Sequence, residues 1–100
     1  MAYIVAFHPD VEADVDESYN WYEDRLQGLG DRFINAIGGT IEIICEQPDI
    51  YPKKKGNYRE ATLKDFPFVV VYEVLRKEQV VRVLYIFHTS RNPKLKYKRR

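Results

Sequence analysis

The side chains best suited to chemistry lie in the second half of the sequence, where basic groups alternate with tyrosines. Lysine and arginine bind phosphate groups, and tyrosine stacks on nucleic-acid bases. Histidine or lysine can move protons when a 2′-hydroxyl attacks a phosphodiester, and arginine can stabilise the charge that develops. Contact with a nucleic acid is one interpretation; the alternative is ordinary solvated surface. The candidate residues are Lys53, Lys54, Lys55, Arg59, Arg82, His88, Arg91, Lys94, Lys96 and Lys98, interleaved with Tyr58 and Tyr97.

The charges of the chain are strongly segregated along its length. The net charge is +1, yet residues 1–50 carry eleven acids and two bases, and residues 51–100 carry fourteen bases and four acids. This pattern predicts an acidic face and a basic face, with the basic groups converging near one end of a sheet. A basic face attracts polyanions or an acidic protein surface.

Residues for metal binding or nucleophilic catalysis are sparse. His8, His88 and Cys45 are too few for the three or four converging ligands that a stable metal site needs. Ser18 and Ser90 have no recognisable adjacent base. A single cysteine excludes an internal disulfide, and Cys45 is expected to be a small core residue. We therefore expect no metal and no cofactor.

Length and composition predict one globular domain spanning residues 1–100. The chain has 45% hydrophobic and 31% charged residues, which is ordinary for a globular protein. It contains no apolar run of the roughly 20 residues that span a bilayer. The first residues show no basic region or cleavage signature typical of a signal peptide. These features predict a cytoplasmic protein without membrane contact.

The first half predicts one strand and two helices. Residues 2–7 are β-branched and aromatic, which is typical of a strand covered on both faces. An acidic amphipathic helix of about 17 residues follows Pro9 and ends at the glycines of 28–30. A second, more apolar helix ends before Pro48. Its Gly38-Gly39 pair predicts a close backbone crossing or a slight kink.

The second half predicts a loop over 48–57 and strands over about 58–63, 66–75 and 80–89. A hairpin turn near Lys77-Glu78 would set Glu73 opposite Arg82. The tail over 90–100 is expected to be a short helix or disordered. One face of the hairpin is predicted to pack on the helices, carrying Phe66, Phe68, Val70, Tyr72, Val74, Val81, Val83, Tyr85 and Phe87.

The resulting element order is β-α-α-β-β-β, which indicates an α+β fold. Helices that precede a run of strands favour a helical hairpin packed on one side of a mostly antiparallel four-stranded sheet. The first strand must pair with one of the later three.

Several short segments, in order and spacing, resemble a known family over almost the whole chain. The chain resembles the RelE/ParE superfamily of bacterial toxins, the toxic halves of type II toxin–antitoxin modules, often labelled plasmid stabilisation proteins. The resemblance implies two helices against a curved antiparallel sheet. The matching segments are the opening strand, Trp21-Tyr22-Glu23, Gly28-Leu29-Gly30 with Phe33, a second helix ending at Pro48, Tyr58-Arg59, Phe66-Pro67-Phe68-Val69-Val70-Val71-Tyr72 and His88-Thr89-Ser90-Arg91-Asn92-Pro93.

The superfamily contains two activities, and the resemblance favours the ParE side. RelE-like members cut messenger RNA on the ribosome without metal, whereas ParE-like members inhibit DNA gyrase and are not nucleases. The Tyr58-Arg59 pair and the ending from His88 to Pro93 resemble ParE-like proteins. Ribosome-dependent nucleases usually carry an arginine near the position of Val69, so its absence argues against RNA cleavage.

The resemblance thus implies a gyrase inhibitor rather than an enzyme, with a RelE-like endoribonuclease or a degenerate, non-toxic binding member as the alternatives. In the nuclease alternative, His88 or a lysine of 53–55 exchanges protons, Arg59 and Arg91 hold the phosphate, and Tyr97 stacks on a base. The residues expected to contact the target or nucleic acid are Lys53, Lys54, Lys55, Arg59, Arg82, His88, Arg91, Lys94 and Tyr97.

The resemblance also implies a cognate antitoxin, expected to be an acidic, partly disordered segment that folds on binding. Lys53, Lys54 and Lys55 are predicted to lie in that interface. Trp21 falls beside the apolar stripe of the first helix and is a candidate for a homodimer or antitoxin contact. By default, the acidic helix is a solvated exterior.

Overall fold

The computed structural model describes residues 2–99, which form two helices, five strands and one 3₁₀ turn. The strand order is β1-β5-β4-β3-β2, with β1 parallel to β5 and the other neighbours antiparallel. The α+β prediction is confirmed, with five strands rather than four. The elements are β1 (Ile4–Phe7), α1 (Val11–Arg25), α2 (Leu29–Glu46), β2 (Lys53–Lys55), β3 (Tyr58–Thr62), β4 (Phe68–Leu75), β5 (Val80–His88) and the turn Pro93–Leu95.

The additional strand is β2, in the segment predicted to be a loop. Lys53 and Lys55 pair with Arg59 and Tyr58 at the start of β3, and Gly56 makes the connecting turn at a φ of 56°. Lysines give little strand signal because strand formers are usually β-branched or aromatic. At the edge of a sheet, however, lysines are favoured because they discourage pairing with another chain.

The helical hairpin is closed by a carboxylate at its turn. Glu23 accepts hydrogen bonds from the backbone N–H of Gly28 at 3.2 Å and of Gly30 at 2.8 Å. Gly28 has a φ of 88°, which favours glycine. A Cβ on Gly30 would come within 2.8 Å of Glu23 and of the Tyr19 ring. The close approach is therefore at Gly30.

The prediction for Gly38-Gly39 is wrong with respect to a close crossing. A Cβ built at either position meets no atom within 4 Å. Both glycines lie on the exposed side of α2.

The helices cover one face of the sheet and enclose the main core. We call this the helix face. Aromatic contacts dominate its centre: the Phe33 ring lies 4.9 Å from that of Phe68 and 5.2 Å from that of Tyr22. Burial of this apolar surface is the main stabilising contribution. The buried residues are Val11, Phe33, Ile37, Ile41, Ile44, Ala61, Leu63, Phe68, Val70, Tyr72, Val81, Val83 and Ile86.

The first strand is an edge strand, so the prediction that both of its faces are covered is wrong. Ile4 is 71% exposed and Phe7 is 52% exposed, whereas Val5 packs against the helix-face core. An apolar run this short cannot distinguish a central strand from an edge strand, because its position depends on which strand it joins.

Because of a bulge in β5, two residues predicted to face the helices, Tyr85 and Phe87, lie on the opposite face of the sheet. Tyr72 pairs with Val83 while Val71 pairs with Tyr85, so Leu84 is an extra residue in β5. One inserted residue shifts the alternation of every side chain beyond it. Tyr85 and Phe87 therefore lie on the opposite face, in a second cluster with Val69, Val71 and Leu84.

Between its turn and the bulge, the β4–β5 hairpin has the predicted register. Glu73 pairs with Arg82, and their side chains form an ion pair at 3.3 Å. The turn lies between Leu75 and Val80, centred on Lys77-Glu78.

Candidate functional site

Residues 89–99, which we call the tail, pack on the face of the sheet opposite the helices. The helical part of the described tail is the 3₁₀ turn at Pro93–Leu95. Tyr97 packs against the second cluster from the tail side. Arg100 lies outside the described residues.

Two carboxylates anchor the tail. Glu60 on β3 accepts hydrogen bonds from Lys96 Nζ at 3.1 and 3.2 Å and from the hydroxyl of Tyr97. Asp14 on α1 pairs with Arg99 through two bonds of 2.6 and 2.9 Å. Burial, with the Glu60 carboxylate beside it, raises the pKa of Tyr97 well above its usual value. The C-terminal part of the tail, residues 96–99, is thus fixed by partly buried ionic contacts.

The tail brings basic and aromatic groups together on one surface. The rings of Tyr58 and Tyr97 stack with centroids 5.5 Å apart. Lys55 Nζ lies 5.5 Å from the Tyr97 ring, and the Arg91 guanidinium lies 5.2 Å from the ring of Phe87. We define the tail surface as Lys53, Lys54, Lys55, Tyr58, Arg91, Lys94, Lys96 and Tyr97.

The lysines of β2 form the edge of the sheet beside the tail. Lys53, Lys54 and Lys55 are all exposed, and none of them forms an ion pair within residues 2–99. Arg91 and Lys94 are likewise exposed in the tail. These side chains are free to meet a charged partner without breaking an internal ion pair.

Arg59 lies elsewhere, on the helix face, and its guanidinium is occupied. It donates to the carbonyl of Tyr51 at 2.6 Å and to the carboxylate of Asp49 at 2.9 Å, and its side chain is only 11% exposed. Asp49 also accepts from Arg76, which lowers the pKa of that carboxyl below its usual value. Arg59 therefore holds the loop that leads into β2.

Arg82 lies on the face of the sheet opposite the helices, because its neighbours Val81 and Val83 both belong to the helix-face core. It pairs with Glu73 near the turn of the β4–β5 hairpin at 3.3 Å, so its charge is already taken up within the sheet. Of the charges predicted to converge, Arg59 and Arg82 are thus each paired with an acid, on opposite faces of the sheet.

His88 ends β5 on the helix face. Its ring meets that of Phe68 edge-on at 4.9 Å, and its Nδ1 accepts a hydrogen bond from the backbone N–H of Ser90 at 3.0 Å. The side chain lines an open groove of about 640 Å³ between α1 and the adjoining ends of β4 and β5. We call this the α1 groove; Arg91 lies at the same end of it.

The groups proposed for the nuclease alternative are not gathered at one point. His88 pairs with Phe68 and Arg59 pairs with Tyr72, so four residues of β4 separate them. This spacing is about 13 Å along the strand. His88 and Arg91 adjoin, whereas Arg59 and the lysines of β2 lie toward the other edge of the sheet.

Sequence reasoning missed the anchors of the tail and the α1 groove. Asp14 and Arg99 are 85 residues apart, and Glu60 and Tyr97 are 37 apart. No local spacing connects such pairs. The alternation of exposed and buried residues after a bulge is similarly invisible in a single sequence.

Two structural findings bound the chemistry of residues 2–99. They contain no group of three or more histidine, cysteine, aspartate or glutamate side chains arranged to hold a metal ion. Neither helix in this part of the chain combines the length and apolar character needed to cross a bilayer.

A helical hairpin on one face of a five-stranded mixed sheet, with a basic tail on the other, is a fold of the RelE/ParE type. The model of the family described as the ParE toxin of type II toxin–antitoxin systems matches residues 5–93. The chain belongs to this family. It is therefore a member of a toxin family, with the ParE side of the superfamily confirmed.

Two solved structures share the fold. A chain from the chromosomal ParDE toxin–antitoxin system of P. aeruginosa superposes with a TM-score of 0.73 and 15% identity, covering 87% of this chain and 96% of that one. A chain from the archaeal RelE–RelB complex of Pyrococcus horikoshii OT3 gives a TM-score of 0.54 and 18% identity, covering 92% and 100%. A comparison with curated protein sequences gave no significant match.

Proposed function

We propose that this protein is the toxin of a type II toxin–antitoxin module, which binds and inhibits DNA gyrase in the cytoplasm and is neutralised by a cognate antitoxin. The observation that carries the proposal is the match of the ParE toxin family over residues 5–93. The similarity to a chain of a ParDE system supports the same assignment at the level of the fold.

The second face of the sheet supports an inhibitor rather than a nuclease. Val69 is 8% exposed and lies in the cluster beneath the tail, where the resemblance would require an arginine for RNA cleavage. Arg59 is already bonded to a carbonyl and a carboxylate. Phosphoryl chemistry without metal needs charged groups aimed at one reacting phosphate, and these groups are apart.

In the proposed complex, the tail surface contacts gyrase or the DNA held by it. Its lysines at 53–55, Arg91 and Lys94 attract an anionic partner over a distance, and Tyr97 offers a flat face beside Lys55. Arg59 takes part as a positioning residue, because it fixes the loop that leads into β2. Arg82 supports the adjoining hairpin through Glu73. His88 lies behind this surface, at its end nearest Arg91.

The test is a supercoiling assay with purified gyrase and relaxed plasmid. We expect the toxin to inhibit supercoiling, and the variant K53E/K54E/K55E to need at least about tenfold more protein, because each reversal removes an attractive charge. The control is K64E/K77E, which reverses two exposed lysines away from the tail surface. A DNA-only reaction must leave the plasmid unchanged.

Full gyrase activity at toxin excess would overturn the proposal. Cleavage of messenger RNA at codon positions in a translating extract, lost in His88→Ala or Arg91→Ala, would instead establish the RelE-like alternative. A folded protein that does neither and does not arrest growth would be the degenerate binding member.

A further inference from the structure

The sheet ends in two edge strands that differ in chemistry. At one edge, β2 is a run of three exposed lysines, and its register with β3 shifts between Lys53 and Lys55. Charged side chains and irregular pairing are common means by which an edge strand avoids joining another chain. At the other edge, β1 has the sequence Ile-Val-Ala-Phe, and residues 2–7 contain no charged side chain. The first strand therefore lacks the protection that β2 has.

The part of β5 that β1 does not reach is capped by side chains. The first strand pairs with residues 80–83 of β5. Beyond them, the N–H of Ile86 donates to the carboxylate of Asp14 at 3.2 Å, and the carbonyl of Leu84 accepts from Arg99 at 2.9 Å. These bonds satisfy backbone groups next to the end of β1. Over the described part of the chain, β1 is thus the edge left without charged or capping side chains.

The outer side of β1 carries unused backbone hydrogen-bonding groups. The N–H groups of Ile4 and His8 donate to β5, at 3.0 and 2.8 Å. Because successive backbone groups of a strand point to opposite sides, the N–H and C=O groups of Val5 and Phe7 point away from β5. No other strand within residues 2–99 pairs with them. These four groups are a template for one further strand.

We propose that β1 pairs with β1 of a second copy of this chain, antiparallel and about a two-fold axis. The outward groups set the register, in which Val5 exchanges two hydrogen bonds with the second copy's Phe7, and Phe7 exchanges two with the second copy's Val5. The axis passes between the two Ala6 residues, a pair without mutual hydrogen bonds whose Cα atoms lie about 4.5 Å apart. The five strands of each copy then form one continuous sheet, with both tail surfaces on the same side.

The side chains are complementary in this register. Val5 and Phe7 lie on the helix face, because they pair with two valines of its core. Phe7 is 52% exposed, and in the dimer it packs beside the second copy's Val5. On the opposite face, Ile4 is 71% exposed and comes to lie diagonally across from the second copy's Ala6. The pairing thus covers two exposed apolar side chains in each copy.

Charge and symmetry favour a second copy over an acidic antitoxin strand. Both copies of β1 are neutral, so they meet without repulsion between like charges, and a two-fold contact closes on itself. An acidic strand would instead run toward Asp10, whose side chain is 64% exposed just beyond the end of β1. The interface is small, since each copy contributes four strand residues. We therefore expect a weak dimer with a dissociation constant on the order of 100 µM.

Amide hydrogen exchange measured by NMR at two protein concentrations tests the pairing residue by residue. At about 1 mM, the N–H groups of Val5 and Phe7 should exchange at least about threefold more slowly than at about 20 µM, because only the dimer gives them acceptors. The N–H groups of Ile4 and His8 should change much less, since β5 accepts from them in both states. Sedimentation equilibrium over the same range measures the dissociation constant.

Phe7→Lys should raise that dissociation constant at least about tenfold, because a charged lysine must then lie against the second copy's Val5. The matched control is Leu26→Lys, the same charge change at an apolar side chain that is 59% exposed and lies at the far end of α1. This control should dimerise like the natural chain. Circular dichroism checks that both variants are folded. Neither measurement involves gyrase, so a failure of the proposed function leaves this test intact.

Several results would overturn the inference. A protein that stays monomeric up to about 1 mM has no such interface. A dimer in which the exchange of Val5 and Phe7 is unchanged pairs through another surface. Equal weakening by Phe7→Lys and Leu26→Lys indicates an effect of net charge only. Protection of Val5 and Phe7 that requires an added antitoxin peptide makes the antitoxin the occupant of this edge, and species that grow beyond a dimer contradict the two-fold contact.

Discussion

Asp14 illustrates how much one residue of the acidic helix contributes to the opposite side of the molecule. Its side chain is 11% exposed, and it pairs with Arg99, whose guanidinium also donates to the carbonyl of Leu84 at 2.9 Å. The hydrogen bond to Asp14 raises the pKa of Arg99 above its usual value. A residue of a helix whose outer face is solvated therefore fixes the end of the tail.

Arg99→Ala should lower the free energy of unfolding by about 2 kcal/mol, because Asp14 then remains partly buried without its charged partner. Limited proteolysis should also cut the tail faster. Lys98→Ala is the control, since Lys98 is exposed and adjacent in sequence. Urea unfolding measures the difference, and equal stability of the two variants would contradict the anchoring role.

Tyr72 should make the protein sensitive to alkali. Burial raises its pKa to about 12, and its hydroxyl donates to the carbonyl of Pro48 at 2.8 Å. Below about pH 10 the phenol is neutral in both the folded and the unfolded state. The neutral Tyr72 side chain therefore contributes fully to the free energy of unfolding. As the pH rises from about 10 to about 12, the unfolded state ionises first, and the free energy of unfolding falls.

Tyr72→Phe should be less stable by about 1 kcal/mol at neutral pH, because the bond to Pro48 is lost. Between about pH 10 and pH 12 it should lose less stability than the natural chain. Urea titrations across this range provide the measurement, and an unchanged alkaline slope would show that Tyr72 does not control it.

At the scale of elements, the helical hairpin depends on one close contact. Gly30→Ala should destabilise the protein by about 1–2 kcal/mol, since its Cβ would meet Glu23 and Tyr19 at 2.8 Å. Gly38→Ala is the matched control, because open space surrounds that position and alanine is the better helix former. Gly38→Ala should raise the free energy of unfolding by about 0.5–1 kcal/mol. Thermal unfolding should therefore show a lower midpoint temperature for Gly30→Ala and a higher one for Gly38→Ala. Shifts of the same sign in the two variants would contradict this packing.

The lysine edge of β2 is the element proposed to meet the antitoxin. Reversing Lys53, Lys54 and Lys55 to glutamate should slow association with an acidic cognate antitoxin and flatten its dependence on salt. Stopped-flow binding at several ionic strengths measures both effects, with K64E/K77E again as the control. Unchanged kinetics would place this edge outside the antitoxin interface.

At the scale of the whole molecule, the two faces carry different chemistry. The acidic helix α1 borders one groove, while the tail and β2 present bases on the other side of the sheet. Five of the basic side chains in the second half are nevertheless paired with acids, namely Arg59, Arg76, Arg82, Lys96 and Arg99. The segregation along the sequence therefore overstates the free positive charge of the surface.

Expression of the chain alone should arrest bacterial growth, because the toxin would act without a neutralising partner. Coexpression of a short acidic partner encoded beside it should restore growth. Colony counts after induction measure both effects. Growth arrest that persists with every neighbouring reading frame would contradict neutralisation by an adjacent antitoxin.

The sequence by itself determined the helices, the three longer strands and the register of the β4–β5 hairpin next to its turn. These features depend on local periodicity and on a short turn, so the spacing alone was enough to place Glu73 opposite Arg82. Only part of the candidate site could be predicted from the sequence. Lys53, Lys54, Lys55 and Tyr97 were identified by residue type and were expected to converge with all the other basic candidates. The sequence did not show that Arg59 and Arg82 would instead be paired with acids.

Only the tertiary structure decided the rest. The bulge at Leu84 places Tyr85 and Phe87 on the second face of the sheet. The strand order places β1 at an edge of the sheet. The pairing of Asp14 with Arg99 depends on the whole chain having folded. Contacts between distant residues depend on where the sheet places each strand, and no local preference of a residue encodes that position.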